Sequence, residues 1–543
     1  MSRTFNLADL FELVAAAIPE REALTCGARR ETYGELDERA TRLADALDTK
    51  LGVTVGDHVG IDLYNCCEYV EAMLACWKLR AVPINVNYRY VAAELAPLFD
   101  NADLVGVICD AHTSSDVHGA AGPRWVVRTG DEFEALVAAG SPSRSFAPRS
   151  SDDHYILYTG GTTGMPRGVI WRHEDIFFTA LGSGNPGGPP ITTPEEISEH
   201  ARTNRVQRLA PYLTDGDRGC EEFVALSLSP LMHAGGQWMG WGTLLGGGRV
   251  VLYEDAHLDL AKVLDLVERE RIVMVSLIGD AAARPLVEQL EANAGKWDTS
   301  SVRILGSGAA ILTGEMRERL LAALPTVLAI NEAVGSSEAP VTALATAVRG
   351  APTIQSLAFT AREGVTIVLD DDLRPVEPGS GVEGWLAAGG RVPVGYYNDP
   401  EKTARTFVTV DGRRYSIPGD RALIEADGTI RLLGRGALCI NTGGEKVYPE
   451  EVEAALKSHP AIDDAIVVGL PDDRFGQRVA AVVASSESLA LDDVQAHCRT
   501  SLAGYKVPRS ITVVPKVERS PAGKADYRWA TEIASRSSGD NTP

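Results

Sequence analysis

The segment from Gly248 to Leu277 alternates between two hydrophobic periodicities, and this alternation constrains the fold more than any other feature of the sequence. Gly248–Tyr253 and Ile272–Leu277 are short apolar runs of the kind found in buried strands. Between them, the apolar residues at positions 260–267 recur at helical spacing. A strand, a helix and a second strand in this order predict parallel pairing. We therefore expect an α/β fold with parallel-rich sheets and helices.

The length of 543 residues exceeds what one hydrophobic core usually organises, so we expect at least two domains. Near residue 434 the α/β alternation gives way to compact segments, and Gly434 and Gly436 flank Arg435. We predict a large composite N-terminal domain over residues 1–434, a hinge at 435–437 and a small, mobile α+β domain over 438–543. Within the small domain, Tyr448–Lys457 has proline and acids at its start and lysine at its end, which predicts a helix.

Composition and charge exclude several classes of protein. The net charge of -22 opposes nonspecific attraction to nucleic acid or to an anionic membrane. The eight cysteines show no Cys-x-x-Cys spacing, so neither a zinc site nor a disulfide framework is indicated. Residues 1–10 lack the apolar core and cleavage site typical of a signal peptide, and about eighteen apolar residues nowhere run together. We expect a cytoplasmic protein with no integral membrane segment and no nucleic-acid partner. A homodimer is one oligomeric state compatible with the sequence.

From Ser183 to about Arg218 the chain is rich in glycine, proline, threonine and charge. Such a composition predicts a long irregular loop on the surface. A lid over a ligand is the alternative.

A glycine- and threonine-rich run, Thr159–Gly164, follows the strand-like Tyr155–Tyr158. Glycine tolerates positive φ and has no Cβ, so such a backbone can approach a phosphate closely, and the hydroxyls add donors. We expect the run at the carboxyl end of a strand, where nucleotides bind in α/β sheets. It is not a Walker A loop. The alternative, for the run taken alone, is a glycine-rich turn that binds nothing.

Six further motifs follow in order: Pro230–Gly236, Leu305–Ala310, Val334–Glu338, Ile417–Asp420, Gly434–Arg435 and Ser520–Lys524. Together with Tyr158–Gly168, they resemble the motifs of the adenylate-forming superfamily. This superfamily contains acyl-CoA synthetases, the adenylation domains of peptide synthetases and firefly luciferase. The resemblance covers nearly the whole chain, from the region of Thr32 to Arg528. Six ordered motifs are not a chance coincidence.

The resemblance implies a set of residues that bind ATP and AMP: Thr159, Gly160, Gly161, Thr162, Thr163, Gly164, Ser307, Gly308, Ala309, Gly335, Ser336, Ser337, Asp420, Arg435 and Lys524. It also implies that Glu338 holds Mg²⁺ with Thr159 as a second contact, in keeping with the preference of Mg²⁺ for oxygen ligands. Lys524 would bridge the carboxylate of the acid and the phosphate oxygens of ATP. The implied catalytic residues are Lys524, Glu338 and His233. Taken alone, Glu338 and Lys524 would be read as solvated surface charges.

By the same resemblance, His233 lies beside the reacting carboxylate in an acyl pocket that includes Gly235, Gly236 and Gly308. Small residues there leave room for a bulky apolar acyl group, although glycine also serves the backbone of a loop. Coenzyme A is the expected co-substrate. Its slim arm would pass Gly443, Gly444 and Lys446 after the small domain rotates, as in other members of the family.

The sequence departs from the family pattern at five positions. Arg167 stands where lysine is common, Val334 where tyrosine is frequent and Pro418 where threonine is usual. Ala437 and Asn441 replace charged residues at and beyond the hinge. These departures concern the contacts to adenine and the polar role of the hinge residue.

Three segments, Trp171–Ile176, Gly395–Tyr397 and Gly443–Glu453, look most like actinobacterial fatty-acyl-CoA synthetases, including those acting on steroid side-chain carboxylates. The implied function is an AMP-forming acyl-CoA ligase that uses ATP, Mg²⁺ and coenzyme A. One alternative is an acyl-AMP ligase that loads a carrier protein, but no Asp-Ser-Leu carrier signature follows. Another is a noncatalytic acyl- or nucleotide-binding protein, which would leave Glu338 and Lys524 unexplained.

Overall fold

The computed structural model describes most of the chain, namely residues 3–120, 122–161, 164–185, 188–203, 222–308, 310, 312–350, 358–435, 438–442, 445–472, 476–502, 504–519 and 524–539. Helices cover four β-sheets, one of them much larger than the others. The chain has a mixed α/β fold with a large N-terminal domain and a small C-terminal domain, as predicted.

The helices of the described residues, α1 to α16, are Leu7–Ala17, Tyr33–Leu51, Cys67–Leu79, Ala92–Asn101, Ser114–Ala120, Asp131–Ala139, His173–Ala180, Glu196–Thr203, Ala234–Leu245, Leu260–Glu270, Gly279–Ala292, Gly314–Ala323, Pro400–Thr406, Pro449–Lys457, Leu491–Cys498 and Tyr527–Gly539. Within the ranges given above, none of these helices has the length and apolar character needed to cross a bilayer.

The strands of the described residues, β1 to β27, are Glu22–Cys26, Arg29–Thr32, His58–Asp62, Val82–Asn85, Leu104–Cys109, Trp125–Arg128, His154–Gly161, Gly164–Arg172, Val224–Ser227, Arg249–Leu252, Met274–Leu277, Ile304–Ser307, Ala329–Ser336, Ala339–Val348, Ala358–Ala361, Thr366–Leu369, Gly384–Gly389, Gly395–Tyr396, Phe407–Val410, Arg413–Ser416, Asp420–Ile424, Thr429–Arg435, Ile440–Thr442, Glu445–Val447, Asp464–Asp472, Gly476–Ala484 and Ser510–Val514.

The largest sheet combines a parallel half with an antiparallel half. Strands β1, β10, β9, β11, β12 and β13 are parallel neighbours in this order, and β14 then begins the antiparallel half. The predicted strand, helix and strand between residues 248 and 277 are confirmed as β10, α10 and β11. In the sheet, β9 lies between β10 and β11. The predicted parallel sheet is therefore present, with one strand inserted between the two that the sequence indicated.

A second sheet, with the order β4-β3-β5-β6, is parallel throughout. Helix α3 packs into the main core beside it, and the ring of Trp77 lies 4.4 Å from that of Trp241 on α9. Both tryptophans are almost fully buried. This aromatic contact joins the second sheet's helix to the helix that begins after His233.

The third sheet, β18-β8-β7, is antiparallel and carries the glycine- and threonine-rich run. The strand predicted at Tyr155–Tyr158 is confirmed, and the run lies at the carboxyl end of that strand as expected, but in an antiparallel hairpin and not in a parallel sheet. Strand β7 continues through Gly161, which pairs with Gly164 of β8, so the run forms the end of a hairpin. Only two residues separate these strands, whereas a parallel connection needs about a dozen or more.

The expectation of an irregular loop from Ser183 to Arg218 is also wrong in part, because Glu196–Thr203 is the helix α8. Its acids lie in the first turn and its basic residues in the last, which suits the helix dipole. Ile197 and Ala201, one turn apart, are buried, and the hydroxyl of Ser198 donates to the carbonyl of Leu13 on α1. Residues 204–221 lie outside the described residues.

The small domain contains the fourth sheet, with the order β24-β23-β26-β25 and with β27 parallel to β26. The helix predicted at Tyr448–Lys457 is confirmed as α14, which begins with Pro449 and packs on β25. The large sheet ends at Arg435 and the small one starts at Ile440. Residues 436 and 437, in the predicted hinge, lie outside the described residues. The limits given for the two domains stay a prediction.

Candidate active site

Thr159 lies on β7 near the end of the hairpin, opposite Arg167 of β8. A Cβ on the neighbouring Gly168 would come within 2.6 Å of the ring of Tyr158, so close packing of these strands requires glycine there. Arg167 donates from Nε to Oδ2 of Asp399 at 3.0 Å. Its guanidinium thus braces the hairpin against the loop before α13. Gly160, Gly161 and Gly164 form the hairpin end, while Thr162 and Thr163 lie outside the described residues.

Glu338 lies in the turn between β13 and β14, and two hydrogen bonds fix this turn to the hairpin sheet. The hydroxyl of Tyr396 donates to Oε1 of Glu338 at 2.6 Å, and Nε1 of Trp171 donates to the carbonyl of Ser337 at 2.9 Å. Tyr396 belongs to β18 and Trp171 to β8, which are neighbours in that sheet. The structure therefore joins the Glu338 turn to the sheet that carries Thr159.

Gly335 and Ser336 shape the same turn. A Cβ on Gly335 would lie 2.0 Å from the carbonyl oxygen of Pro340, so no side chain fits. The hydroxyl of Ser336 accepts a hydrogen bond from the backbone N–H of Glu338 at 3.2 Å. Oε1 of Glu338 accepts from Tyr396, and the other carboxylate oxygen, Oε2, accepts no hydrogen bond among the described residues.

Ser307 ends β12, directly beside Glu332 of β13. It is buried, and its hydroxyl accepts a hydrogen bond from the backbone N–H of Gly279 at 3.2 Å. A Cβ on Gly308 would meet only the carbonyl of Ala333, at 3.7 Å, so the space next to this glycine is open. Ala309 lies outside the described residues.

His233 is the residue before helix α9, and its Nε2 atom is buried without a hydrogen-bond partner among the described residues. Burial, together with the positive charges of Lys524 and Arg89, lowers the pKa of His233 to about 4. The imidazole is therefore neutral at pH 7. A neutral ring with a buried, unused nitrogen is suited to a hydrogen bond with a ligand.

Lys524 comes from the small domain, yet its charge acts on His233 of the large one. It is exposed and follows residues 520–523, which lie outside the described residues. A β-bridge pairs Arg519 with Ala525, the residue after Lys524. The charge of Lys524 thus acts on the predicted catalytic residue that is farthest from it in the sequence.

Asp420 and Arg435 are partners at the ends of the antiparallel strands β21 and β22. The preceding Gly419 has a φ of 108°, which favours glycine and turns the chain into β21. Asp420, which is predicted to bind the ribose, is therefore paired with Arg435 of the predicted hinge. The side chain of Arg435 lies outside the described part of the structure.

The residues predicted to line the coenzyme A tunnel are only partly described. Lys446 lies on β24, opposite Asn441 of β23, and Gly443 and Gly444 between the two strands lie outside the described residues. Lys506, a basic residue of the same domain, forms an ion pair with Glu451 at 2.7 Å.

The two glycines of the predicted acyl pocket differ in their surroundings. A Cβ on Gly236 would lie 2.3 Å from the carbonyl oxygen of Pro230, whereas one on Gly235 would meet nothing closer than Oγ of Ser229 at 3.6 Å. Gly236 therefore serves the packing of α9 on the preceding loop. Gly235 has room beside it.

A cavity of about 560 Å³ opens beside Glu338, between α7 and strands of the large sheet. Its lining is mostly apolar and includes Phe5, Phe178, Pro190, Ile191, Pro340, Val341, Val365 and Val392. Arg362 also faces it and donates from Nη1 to the carbonyl of Val341. His233, Gly235, Gly236 and Gly308 do not line this cavity, so the predicted acyl pocket around them stays a prediction.

Sequence reasoning assigned no role to Tyr396 or Trp171, although both lie in segments that it singled out. Their contacts with the Glu338 turn join residues far apart in the chain, and no local pattern signals them. A buried tyrosine hydroxyl usually forms a hydrogen bond, and this general rule is the one signal that could have indicated a partner for Tyr396.

Profiles of known families match two parts of the chain. The profile described as "AMP-binding enzyme" matches residues 11–397, and that described as "AMP-binding enzyme C-terminal domain" matches residues 451–524. The chain belongs to the AMP-binding enzyme family. The resemblance to the adenylate-forming superfamily is thereby confirmed.

Relatives that cover nearly all of the chain are CoA ligases. The chain is 43% identical to the 3-oxocholest-4-en-26-oate–CoA ligase of Rhodococcus rhodochrous, over 97% of this chain and 95% of the relative. It is 41% identical to the medium/long-chain-fatty-acid–CoA/3-oxocholest-4-en-26-oate–CoA ligase of Mycobacterium tuberculosis strain H37Rv, over 98% and 96%. The prediction that the chain is most like actinobacterial fatty-acyl or steroid CoA ligases is confirmed.

Solved structures share the fold. The anthranilate CoA ligase AuaEII has a TM-score of 0.81 at 21% identity, and 99% of each chain is covered. ATP-bound MatB from Rhodopseudomonas palustris has a TM-score of 0.79 at 23% identity, with 98% of this chain and 99% of the other covered. The chain therefore shares the overall fold of these two enzymes.

Proposed function

We propose that this protein is an AMP-forming acyl-CoA ligase that acts on medium- or long-chain fatty acids or on steroid side-chain carboxylates. The observation that carries the proposal is the action of the Lys524 charge on the His233 imidazole, because it links a cation of the small domain to a residue of the large one. A cation and a neutral hydrogen-bonding ring are groups suited to a carboxylate beside a phosphate. The relatives that are 41–43% identical carry both substrate classes in their names.

In the first half-reaction, a carboxylate oxygen of the acid attacks the α-phosphorus of ATP, and the bond to pyrophosphate breaks. Lys524 would offset the negative charge that both reactants bring together. His233 would hold the acid through its buried Nε2. Thr159 and the hairpin glycines would hold the phosphates, and Asp420 would accept hydrogen bonds from the ribose hydroxyls.

In the second half-reaction, the thiol sulfur of coenzyme A attacks the acyl carbon, and the bond from that carbon to the AMP oxygen breaks. The products are the thioester and AMP, and the thiol proton leaves to solvent. Gly443, Gly444 and Lys446 would line the path of coenzyme A. This step needs no triphosphate, so the two half-reactions can be measured apart.

The two residues predicted to hold magnesium, Glu338 and Thr159, carry oxygen ligands of the kind that Mg²⁺ accepts. Glu338 forms no ion pair among the described residues, and Tyr396 occupies only one of its oxygens. No group of three or more histidine, cysteine or acidic side chains in the described ranges is arranged to hold a metal. That fits Mg²⁺, which commonly uses one or two carboxylates together with substrate phosphates. When bound, Mg²⁺ would neutralise phosphate charge.

We place the hydrocarbon part of the acid in the cavity beside Glu338. Its volume of about 560 Å³ and its apolar lining suit a long chain or a fused-ring system. Val365 lines this cavity and is half-buried. The variant Val365→Trp should shift the preference of the enzyme toward shorter acids without changing its use of ATP. Val55→Trp, at an exposed position, is the matched control.

The test of the whole proposal is an assay with ATP, Mg²⁺ and a panel of medium-chain, long-chain and steroid side-chain acids. AMP and thioester are measured with and without coenzyme A. Thioester formation supports the proposal. Acyl-AMP without thioester would favour an acyl-AMP ligase that loads a carrier protein, and no pyrophosphate exchange with any acid would favour a noncatalytic binding protein.

We further propose that the protein works in the cytoplasm and forms a homodimer. The acidic net charge of -22 and the cysteine pattern support the first point. Light scattering after size exclusion tests the second, and the mass of a single chain, 58.0 kDa, would refute it.

A further inference from the structure

Asn85 makes an unusual set of contacts with the backbone on both sides of the candidate site. It ends β4 and is 7% exposed. Its Nδ2 donates to the carbonyl of Tyr158 at 2.8 Å and to the carbonyl of Met232 at 2.7 Å. Its Oδ1 accepts from the backbone N–H of Tyr158 at 2.8 Å. One buried amide therefore satisfies three backbone groups.

The two contacted residues directly precede two predicted site residues. Tyr158 is followed by Thr159, and Met232 is followed by His233. Thr159 belongs to the side of the site proposed to hold ATP, and His233 to the side proposed to hold the acid. Asn85 thus links the two sides by their backbones.

These three parts of the chain come from different sheets. Asn85 ends a strand of the second sheet, Tyr158 belongs to the hairpin sheet, and Met232 lies between β9 of the large sheet and α9. A buried amide supplies two N–H donors and an oxygen with two lone pairs. Aspartate has the same shape but no donor when ionised, and alanine has neither donor nor acceptor. The position therefore requires an amide.

We propose that Asn85 is a positioning residue that sets the distance between Thr159 and His233, so that the acid carboxylate meets the α-phosphate of ATP in line. This inference rests on the proposed function. The first half-reaction needs two bound substrates at near-attack distance, and a displacement of about 1 Å can cost about 100-fold in rate. The second half-reaction starts from one bound acyl-AMP and depends less on this distance.

The test is a comparison of the two half-reactions in Asn85→Ala. We expect pyrophosphate exchange to lose about 100-fold in kcat, as a displacement of this kind predicts. The KM values for ATP and acid should change little, and thioester formation from supplied acyl-AMP should keep most of its rate. A merely structural role would lower both half-reactions together.

Asn101→Ala is the matched control, because Asn101 also contacts Tyr158 but only through the hydroxyl, at 2.9 Å. It should leave both half-reactions near the wild-type rates. Asn85→Asp is the second variant. It keeps the acceptor for the N–H of Tyr158 and loses both donors, and protonation of the new carboxyl returns one of them. The ratio of its exchange rate to that of the wild type should rise as the pH falls.

Three results would overturn the inference while leaving the proposed function intact. They are equal loss of both half-reactions in folded Asn85→Ala, unchanged pyrophosphate exchange in that variant, and a pH-independent rate ratio for Asn85→Asp. If Asn85→Ala does not fold, the inference is tested by the pH dependence of the pyrophosphate exchange rate of Asn85→Asp relative to that of the wild type. A wild-type protein that forms no acyl-AMP with any acid would instead refute the proposed function.

Discussion

The hydroxyl of Tyr396 donates a 2.6 Å hydrogen bond to Oε1 of Glu338, and this bond ties the proposed magnesium ligand to the sheet that carries Thr159. Burial raises the pKa of Tyr396, and the neighbouring Glu338 raises it further, so the hydroxyl stays protonated and acts as the donor. Glu338 is thereby oriented with its other oxygen available.

Tyr396→Phe should therefore weaken the use of Mg²⁺. Loss of an outer partner of a metal ligand typically costs about 10- to 100-fold in affinity or activity. The measurement is the Mg²⁺ concentration that gives half-maximal pyrophosphate exchange. Tyr397→Phe is the control, since the hydroxyl of Tyr397 bonds to Asp103 instead. An equal effect of the two variants would contradict this role for Tyr396.

Lys524→Ala should abolish formation of acyl-AMP and spare thioester formation from supplied acyl-AMP. The reason is that the lysine charge is needed only while carboxylate and triphosphate are brought together. Rates of the two half-reactions are compared with those of Lys516→Ala, an exposed lysine of the same domain. Equal loss of both steps in Lys524→Ala would refute the assignment.

His233→Ala should weaken the use of the acid with little change in the affinity for ATP. Loss of one hydrogen bond of about 1 kcal/mol raises KM for the acid about fivefold to tenfold. Steady-state kinetics with each substrate varied in turn give both constants. A raised KM for ATP with an unchanged KM for the acid would remove His233 from the acyl side of the site.

His173 should make the protein sensitive to acid. Its Nδ1 accepts from the N–H of Leu7 and its Nε2 lies 3.2 Å from the carbonyl of His154, so both nitrogens serve the neutral ring. Burial lowers the pKa of His173 from 6.5 to about 4. Between these values the unfolded chain binds more protons than the folded one, so stability is complete above pH 6.5 and falls by up to about 3 kcal/mol toward pH 4.

Urea unfolding at a series of pH values measures this loss. His173→Gln keeps a polar group and removes the titration, so its stability should depend less steeply on pH. His257→Gln, at an exposed position, should follow the wild type. The same slope in all three proteins would exclude His173 as the source.

Gly236→Ala and Gly235→Ala should change stability in opposite directions. The first puts a methyl group against the carbonyl of Pro230 and should cost about 1–3 kcal/mol, as overpacking does. The second has space and removes a glycine from the first turn of α9, which should stabilise by up to about 1 kcal/mol. Thermal unfolding midpoints give the comparison, and a Gly236→Ala protein as stable as the wild type would contradict the clash.

Elements with strong local signals could be predicted from the sequence. The short apolar runs predicted the strands β10 and β11, and the helical spacing between them predicted the helix α10. Proline and acids before Val452 marked the start of α14. The ordered motifs identified the family without any structure, because each keeps its own residue types and spacing.

Features that depend on contacts between distant parts of the chain could not be predicted. The third strand of the hairpin sheet, β18, comes from far along the chain. Helix α8 is short and polar, and only two buried residues distinguish it from a loop. The role of Gly236 depends on a carbonyl oxygen that the turn before α9 brings close. None of these contacts leaves a mark in a short window of sequence.

The contact between Gly236 and the carbonyl of Pro230 also decides where this enzyme can be redesigned. In a library of variants that changes the glycines of the Pro230–Gly236 segment, many variants would carry a side chain at Gly236, where no side chain fits. Thr179, Val341 and Val365 in the cavity wall carry side chains whose size can be changed. Randomising these three while keeping Gly236 would concentrate a search for new acid preferences on variants that still fold.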